Sequence, residues 1–428
     1  MSHTSAGVGR MTDMELVEGK GSWVTSSNGN KYLDFTCGIG VTNLGHCHPH
    51  VVAAIQDQAS KIIHAQANIA WHKPMLDLIE VFSQVAPKPL DSFFFWNSGA
   101  EAVEASLKLA RHATKKPNII VFNGSFHGRT IGTMSLTTSK TIYRAGFGPL
   151  MPGVFVAPFP YAYRSKCRHA SLGGPALSDE VWEQRSSELA LDDLDIMLKT
   201  QTSPSETAAM LIEPVLGEGG YVPAPPYFLQ RLREICTKNG ILLMVDEVQS
   251  GFGRTGKWFA IEHSNVTPDV IVFAKGVASG LPLSGIISTQ ELMSKQPAGS
   301  MGGTYGGNAV ACRAAQATIE VFQKENILKN VEERGKQLRD GLKALQAKYP
   351  QIGDVRGIGL MIGLEFAPEK DKPKASEISK ICRENGLLLL TCSVFDTIRF
   401  IPPLNASQQE IQQALNIFEK ALKQYFKQ

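Results

Sequence analysis

Val270-Ile271-Val272-Phe273-Ala274-Lys275-Gly276 carries an ammonium group out of the end of an unbroken apolar run. The run reads as a strand buried in a sheet. A charge at its end is expensive to desolvate, so it demands a partner or a use. One strand earlier, Leu242-Leu243-Met244-Val245-Asp246-Glu247 carries an acid out of the core in the same way. A lysine that forms an imine and an aspartate that holds a cationic ring nitrogen are what a protein contributes to pyridoxal phosphate chemistry. Lys275 and Asp246 are therefore the candidate catalytic pair.

Outward from these two runs the same pattern repeats. Strand-type stretches lie at Ser92–Trp96, Asn118–Phe122, Val154–Ala157, Ala209–Glu213, Ile241–Val245 and Asp269–Ala274. Several are apolar at consecutive positions, as strands of a parallel sheet covered on both faces must be. Helical spacing falls between them at Ala100–Thr114 and Pro226–Lys238, with Gly240 placed to end the second helix. The last third has long helical stretches (Asn308–Lys324, Leu328–Lys348, Ala375–Asn385, Ser407–Lys427) around short strands at Gly359–Phe366 and Gly386–Thr391. The N-terminal piece, with Gly29 in a turn and Tyr32-Leu33-Asp34-Phe35 as a strand, joins that layer. The fold class is α/β: a large domain with a mostly parallel sheet flanked by helices, plus a smaller α+β domain from both termini. The boundaries expected are 1–50 and 311–428 for the small domain and 51–310 for the large one.

The bulk numbers narrow the function classes. At 428 residues the chain exceeds one simple core. A net charge of +3, dispersed along the sequence, gives no reason to invoke nucleic acid or a membrane surface. No apolar run approaches the roughly 20 residues of a bilayer span. Seven cysteines without a C-x-x-C pair read as reduced thiols, which suits a cytoplasmic location and leaves a mitochondrial matrix open.

Several loops carry chemistry-bearing residues. Asn97-Ser98-Gly99-Ala100-Glu101 follows a strand and opens a helix. Ser98 and Glu101 have capping-box spacing, and the small Ser98-Gly99-Ala100 turn also lets backbone amides reach a phosphate at the positive helix end. With Lys275 downstream, the phosphate reading is preferred; G-x-x-x-x-G-K-[ST] and a convincing G-x-G-x-x-G are both missing, which disfavours nucleotide binding. In Phe126-His127-Gly128-Arg129-Thr130, Phe126 can lie flat over a cofactor ring and Arg129 can grip a carboxylate; His127 alone reads as structural. Glu213-Pro214-Val215-Leu216-Gly217-Glu218-Gly219-Gly220 sets two acids on a glycine-rich loop. They are an acid–base pair, solvated loop acids, or a neutralising partner for Arg399 in Ile398-Arg399-Phe400. Gly45-His46-Cys47-His48-Pro49-His50 lacks a second Cys/His pair elsewhere, so it reads as a turn before a helix near Val51 and no metal site is expected. Gly302-Gly303-Thr304-Tyr305-Gly306-Gly307-Asn308 is either an interdomain linker or a second source of hydroxyl and amides for a phosphate.

Asp246-Glu247-Val248-Gln249-Ser250-Gly251-Phe252-Gly253-Arg254-Thr255-Gly256, followed by Pro268-Asp269 and Lys275-Gly276, resembles the signature of class III (ω) aminotransferases of pyridoxal-phosphate fold type I. The resemblance runs from about Gly21 to Leu404. It implies that Lys275 forms the Schiff base and shuttles the proton, and that Asp246 pairs with the pyridinium nitrogen. It implies Val248 and Phe126 on the two ring faces, with His127 among the cofactor contacts and Gln249 near the ring hydroxyl. Ser98-Gly99-Ala100 would bind the phosphate, helped by Thr304 of a neighbouring subunit, since the family's sites lie at a dimer interface. An isologous homodimer, alone or as a dimer of dimers, is thereby implied. Within the family the likeness is nearest to enzymes acting on 4-aminobutyrate. There the residue matching Arg129 binds the donor carboxylate, and the one matching Glu218 pairs with that matching Arg399. In the second half-reaction Arg399 would be released to the α-carboxylate of 2-oxoglutarate or glutamate. Ile39 stands where ornithine enzymes carry tyrosine, an aliphatic choice that acetylornithine enzymes share.

Two departures accompany the likeness. Asn308 is followed by Ala309 where the family often has proline, which alters how the helix starts. Tyr161–Thr202 is longer and more polar, and its Arg164, Lys166, Arg168 and His169 are expected near the mouth of the site. The expected reaction is a ping-pong transfer of an amino group from an ω-amino acid, 4-aminobutyrate first, to a 2-oxo acid, 2-oxoglutarate before pyruvate. Acetylornithine or β-alanine as donor is the alternative; a decarboxylase or racemase of the same fold is the runner-up chemistry. A cofactor-binding regulator without turnover and a nucleotide-dependent dehydrogenase are the readings from other classes.

Overall fold

A computed structural model of the chain describes residues 3–165, 178–368 and 374–427. Three short strands open it: β1 (Leu16–Lys20), β2 (Trp23–Ser26) and β3 (Lys31–Asp34). Then come β4 (Ser92–Trp96), β5 (Asn118–Phe122), β6 (Val154–Ala157) and β7 (Thr207–Ile212), followed by the two-residue strands β8 (Val215–Leu216) and β9 (Val222–Pro223). β10 (Leu242–Asp246), β11 (Val270–Phe273) and β12 (Ser284–Ser288) complete the middle of the chain. The last strands are β13 (Ile352–Ile358), β14 (Met361–Phe366), β15 (Leu387–Leu388), β16 (Leu390–Cys392) and β17 (Thr397–Phe400).

Seven of these form one sheet in the order β4-β12-β11-β10-β7-β5-β6. All neighbours from β11 to β6 pair in parallel, and β12 alone runs against both β11 and β4. β7 and β11 are buried at every position, which explains their lack of polar alternation. Helices Gly99–Thr114 and Pro226–Asn239 pack against the sheet, the latter ended by Gly240 at φ 60°. A mostly parallel sheet with helices was expected, and this is what the chain builds. β12 escaped the sequence reading because Ser284-Gly285 interrupts the apolar pattern. Gly285 is required there: a Cβ would lie 2.2 Å from the Phe94 carbonyl oxygen.

The termini meet in a second layer. β3 pairs in parallel with β15, so the N-terminal and C-terminal pieces share the four-stranded sheet β1-β2-β3-β15. β13-β14-β17-β16 form another, backed by helices Ile327–Lys348 and Lys374–Glu384, on which helix Gln408–Phe426 packs. Phe273 of β11 sits in an aromatic cluster with Phe82 and Phe95, its ring 5.0 and 6.0 Å from theirs. Truncating such a buried ring to alanine costs about 3–5 kcal/mol, so the strand that ends next to Lys275 is firmly anchored. Among the described residues no helix is long and apolar enough to cross a membrane.

The segment 161–202 contains a helix at Asp179–Thr200, capped by Ser178. Arg164 was expected near the site mouth; it pairs instead with the buried Glu365 and lies 4.2 Å over the Phe395 ring. Burial of the Glu365 carboxylate in the C-terminal layer is what draws that guanidinium away. Lys166, Arg168 and His169 lie outside the described residues.

Candidate active site

Two adjacent parallel strands, β10 and β11, deliver the central pair. Asp246 stands opposite Val272 in the ladder, so both strands end at the same edge of the sheet, where α/β folds bind ligands. Lys275 follows two residues after β11, in the left-handed region at φ 48°. Gly276 permits the turn because a Cβ there would meet Asn43 Nδ2 at 1.9 Å. The lysine amine is held below its ordinary basicity by burial, helped by the Arg399 charge and opposed by Glu218 and Asp246.

Asp246 is held from both sides. Its Oδ2 lies 2.7 Å from Nδ1 of His127, and its Oδ1 accepts the Val248 amide at 3.0 Å. Glu213, the first acid of the glycine-rich loop, accepts the Phe126 amide at 2.7 Å and the Gly217 amide at 2.8 Å. Burial pushes its carboxyl up to about 7, against the pull of His127 and with the push of Asp246. Glu213 therefore staples the Phe126 segment to the loop. The second acid, Glu218, pairs with Arg399 of β17 and keeps its carboxyl low, because the guanidinium outweighs its burial. Tyr143 donates to the other Glu218 oxygen at 3.2 Å. Its ring lies 4.7 Å below the Arg129 guanidinium.

A cavity of about 490 Å³ opens over these groups. It is lined by Ser98, Gly99 and Ala100 at the start of a sixteen-residue helix, and by Phe126, His127, Arg129, Glu218, Asp246, Val248, Gln249 and Lys275. Ser98 makes the capping box with Glu101, its amide donating to Glu101 Oε2 at 2.9 Å. The capping reading of that turn holds, and the same residues border the cavity where a phosphate is expected. Arg399 borders it only through Glu218. Ile39 and Thr304 do not line it. Ile39 is exposed at φ 66° in the short kinked helix Cys37–Gly40, after which Val41 reaches the cavity instead, and Thr304 is exposed on the loop before helix Ala309–Lys324. That helix starts at Asn308, whose Oδ1 accepts the Val310 and Ala311 amides. His46, His48 and His50 each face a carboxylate: Asp34, Glu325 and Glu320.

These residues fit pyridoxal phosphate. A buried amine, a fixed carboxylate and a helix start meet in one cavity, and the buried Gln249 Oε1 has no partner among the described residues. A Cβ on Gly99 would come within 3.0 Å of Val248 Cγ1, so the helix start approaches Val248 as closely as glycine allows. With the cofactor bound, Lys275 would be placed to form the imine, Asp246 to face the ring nitrogen and the 98–100 amides to hold the phosphate. Sequence reading missed Tyr143, Val41 and Gly280–Leu283, which also border or brace the site. Nothing local marks Tyr143, since its partner Glu218 is 75 residues away.

The family model described as aminotransferase class-III matches residues 4–422. The 4-aminobutyrate aminotransferase of Escherichia coli is 40% identical over 422 residues, spanning 97% of this chain and 94% of that one. The 5-aminovalerate aminotransferase of Pseudomonas putida is 39% identical over 420 residues, at 97% and 94% coverage. Among solved structures, an amine transaminase from an uncultivated Pseudomonas species in its PLP-bound form superposes with a TM-score of 0.88. It is 28% identical and the match covers 96% of this chain and 95% of that one.

Proposed function

The chain belongs to the class-III aminotransferases, a pyridoxal-phosphate-dependent family, and from that premise we propose that it moves the amino group of an ω-amino acid to 2-oxoglutarate, with 4-aminobutyrate the preferred donor. The observation that carries this reading is the buried Glu218–Arg399 pair beside Lys275, with Arg129 at the mouth of the same cavity. A donor with one carboxylate needs one cationic grip, and Arg129 supplies it. A dicarboxylate acceptor needs two, and Arg399 is the second once Glu218 lets go. While the pair stays closed, the inner end of the pocket is electrically neutral and suits the uncharged carbon chain of an ω-amino acid.

Bound pyridoxal phosphate supplies an aldehyde for the amine and an electron-withdrawing ring. The chain's residues do the rest. Lys275, with its basicity lowered by burial, presents more free amine at neutral pH and carries a proton to and from the donor carbon. Asp246 would face the ring nitrogen, its two oxygens held in place by His127 and the Val248 amide. Phe126 is kept in place by Glu213, and with Val248, which lines the same cavity, it would take the two faces of the ring. We read the exposed Thr304 loop as reaching the site of a second copy in a homodimer, and the reduced cysteines as fitting a cytoplasmic compartment.

The test is a pair of half-reactions. The purified protein is mixed in turn with 4-aminobutyrate, 5-aminovalerate, β-alanine and acetylornithine, and the cofactor spectrum is followed. Donor labelled with heavy nitrogen is then supplied with 2-oxoglutarate. The expected result is fastest conversion with 4-aminobutyrate and label in glutamate. Label that stays with the donor carbon skeleton, or a faster reaction with acetylornithine, overturns the reading.

A further inference from the structure

We propose that Tyr143 receives the Glu218 carboxylate when a substrate carboxylate takes Arg399, and thereby decides whether the pocket accepts a dicarboxylate. The inference rests on the two-substrate reading above and names the component that reading leaves out.

The Glu218 carboxylate is already shared. One oxygen faces Arg399, and the other accepts the Tyr143 hydroxyl at 3.2 Å. The backbone beneath it is pinned. The Ser393 amide donates to the Glu218 carbonyl at 2.8 Å, and the Gly220 carbonyl accepts both Nε and Nη2 of Arg356 at 3.0 and 2.7 Å. Arg356 is itself fixed by Asp354 and Glu365, each at 2.8 Å. Release of Arg399 is therefore a rotation of the Glu218 side chain and not a loop movement. The freed carboxylate would be buried and charged, a state that needs a new donor.

Tyr143 is placed to be that donor. Burial and the Glu218 charge push its phenol up to about 12, so the hydroxyl keeps its proton at neutral pH. Lys140, three residues earlier, adds a positive charge that favours ionised Glu218. The ring cannot drift, because it meets Phe126 edge-on at 5.1 Å and lies against Arg129 at 4.7 Å. One side chain thus serves both ends of the pocket: its face braces the grip Arg129, and its hydroxyl holds Glu218, the partner of the second grip, Arg399.

Tyr143→Phe separates these two jobs, since the ring remains under Arg129 and only the hydroxyl goes. The test measures binding of glutarate and of butyrate to the full-length holoenzyme by calorimetry, together with the two half-reactions. Loss of one hydrogen bond to a charged group should weaken glutarate about tenfold, with butyrate affected less. The 2-oxoglutarate half-reaction should lose the same factor in kcat/KM relative to the donor half-reaction. Lys140→Met should move both ratios in the same direction, and it carries the test alone should Tyr143→Phe not fold. Parallel weakening of both ligands, or an unchanged ratio, overturns the assignment. A wild-type protein that fails one half-reaction instead sinks the proposed function, before any variant is made.

Discussion

His127 Nδ1 and Asp246 Oδ2 lie 2.7 Å apart with both side chains buried, joining the loop after β5 to the end of β10. In the proposed site the histidine holds the carboxylate in place. His127→Phe removes that bond and leaves Asp246 with the Val248 amide alone. Apoprotein from this variant should bind pyridoxal phosphate at least about tenfold more weakly, the worth of a hydrogen bond to a charged group. His127→Asn, which can still donate, should recover part of the loss. Equal affinity in all three proteins, measured by titration, would show that the contact is incidental.

Lys275→Ala should abolish turnover and the yellow colour together while leaving the fold intact. Truncation removes the imine-forming amine and the proton carrier at once, and proton transfer alone is worth about 10²–10⁴-fold. The methyl group that remains faces a cavity and creates no clash. Single-turnover transamination at the wild-type rate would refute the role given to this residue.

The parts of this arrangement visible in the sequence were those with a local cost. Asp246 and Lys275 stand out because each ends a run of consecutive apolar residues, which marks a charge leaving a core. Ser98 and Glu101 stand out by their spacing. Glu213 and Glu218 could not be told apart from residues alone. Their roles depend on what each reaches: two amides for Glu213, and a guanidinium from β17 for Glu218. Arg164 has the charge of a mouth residue, yet a buried carboxylate 201 positions away claims it. β12 was hidden for a similar reason, since its Gly285 is dictated by the Phe94 carbonyl of a neighbouring strand and not by its own pattern.

Glu218→Gln should behave differently from Arg399→Ala. The glutamine leaves Arg399 buried with no anionic partner until a dicarboxylate arrives. Breaking a buried ion pair from one side costs about 3–5 kcal/mol, so the variant should unfold earlier in urea, and saturating glutarate should return more stability to it than to the wild type. Arg399→Ala removes the second grip, so its loss should fall on 2-oxoglutarate more than on the amino donor. Denaturation midpoints with and without glutarate, beside kcat/KM for each half-reaction, decide the matter. A shared pattern in the two variants would mean that the pair is structural only.

Glu247 gives the pH dependence a sign. Its carboxylate accepts the Ser250 hydroxyl at 2.5 Å and the Ile261 amide at 2.7 Å. Burial still dominates and pushes the carboxyl from 4.5 up to about 7. Between those values the folded chain holds a proton that the unfolded chain has given up, so stability from this group is complete below about 4.5 and lost as pH rises through 7. The slope is at most about 1.4 kcal/mol per pH unit. Glu213 is shifted in the same direction, so removing Glu247 alone should reduce the slope and not erase it. Glu247→Gln keeps an acceptor for the Ile261 amide and carries no charge to desolvate. Urea midpoints at pH 5 and pH 7 should therefore fall less in the variant than in the wild type. An identical fall in both would mean that the Glu247 carboxyl is already ionised in the folded protein at the lower pH.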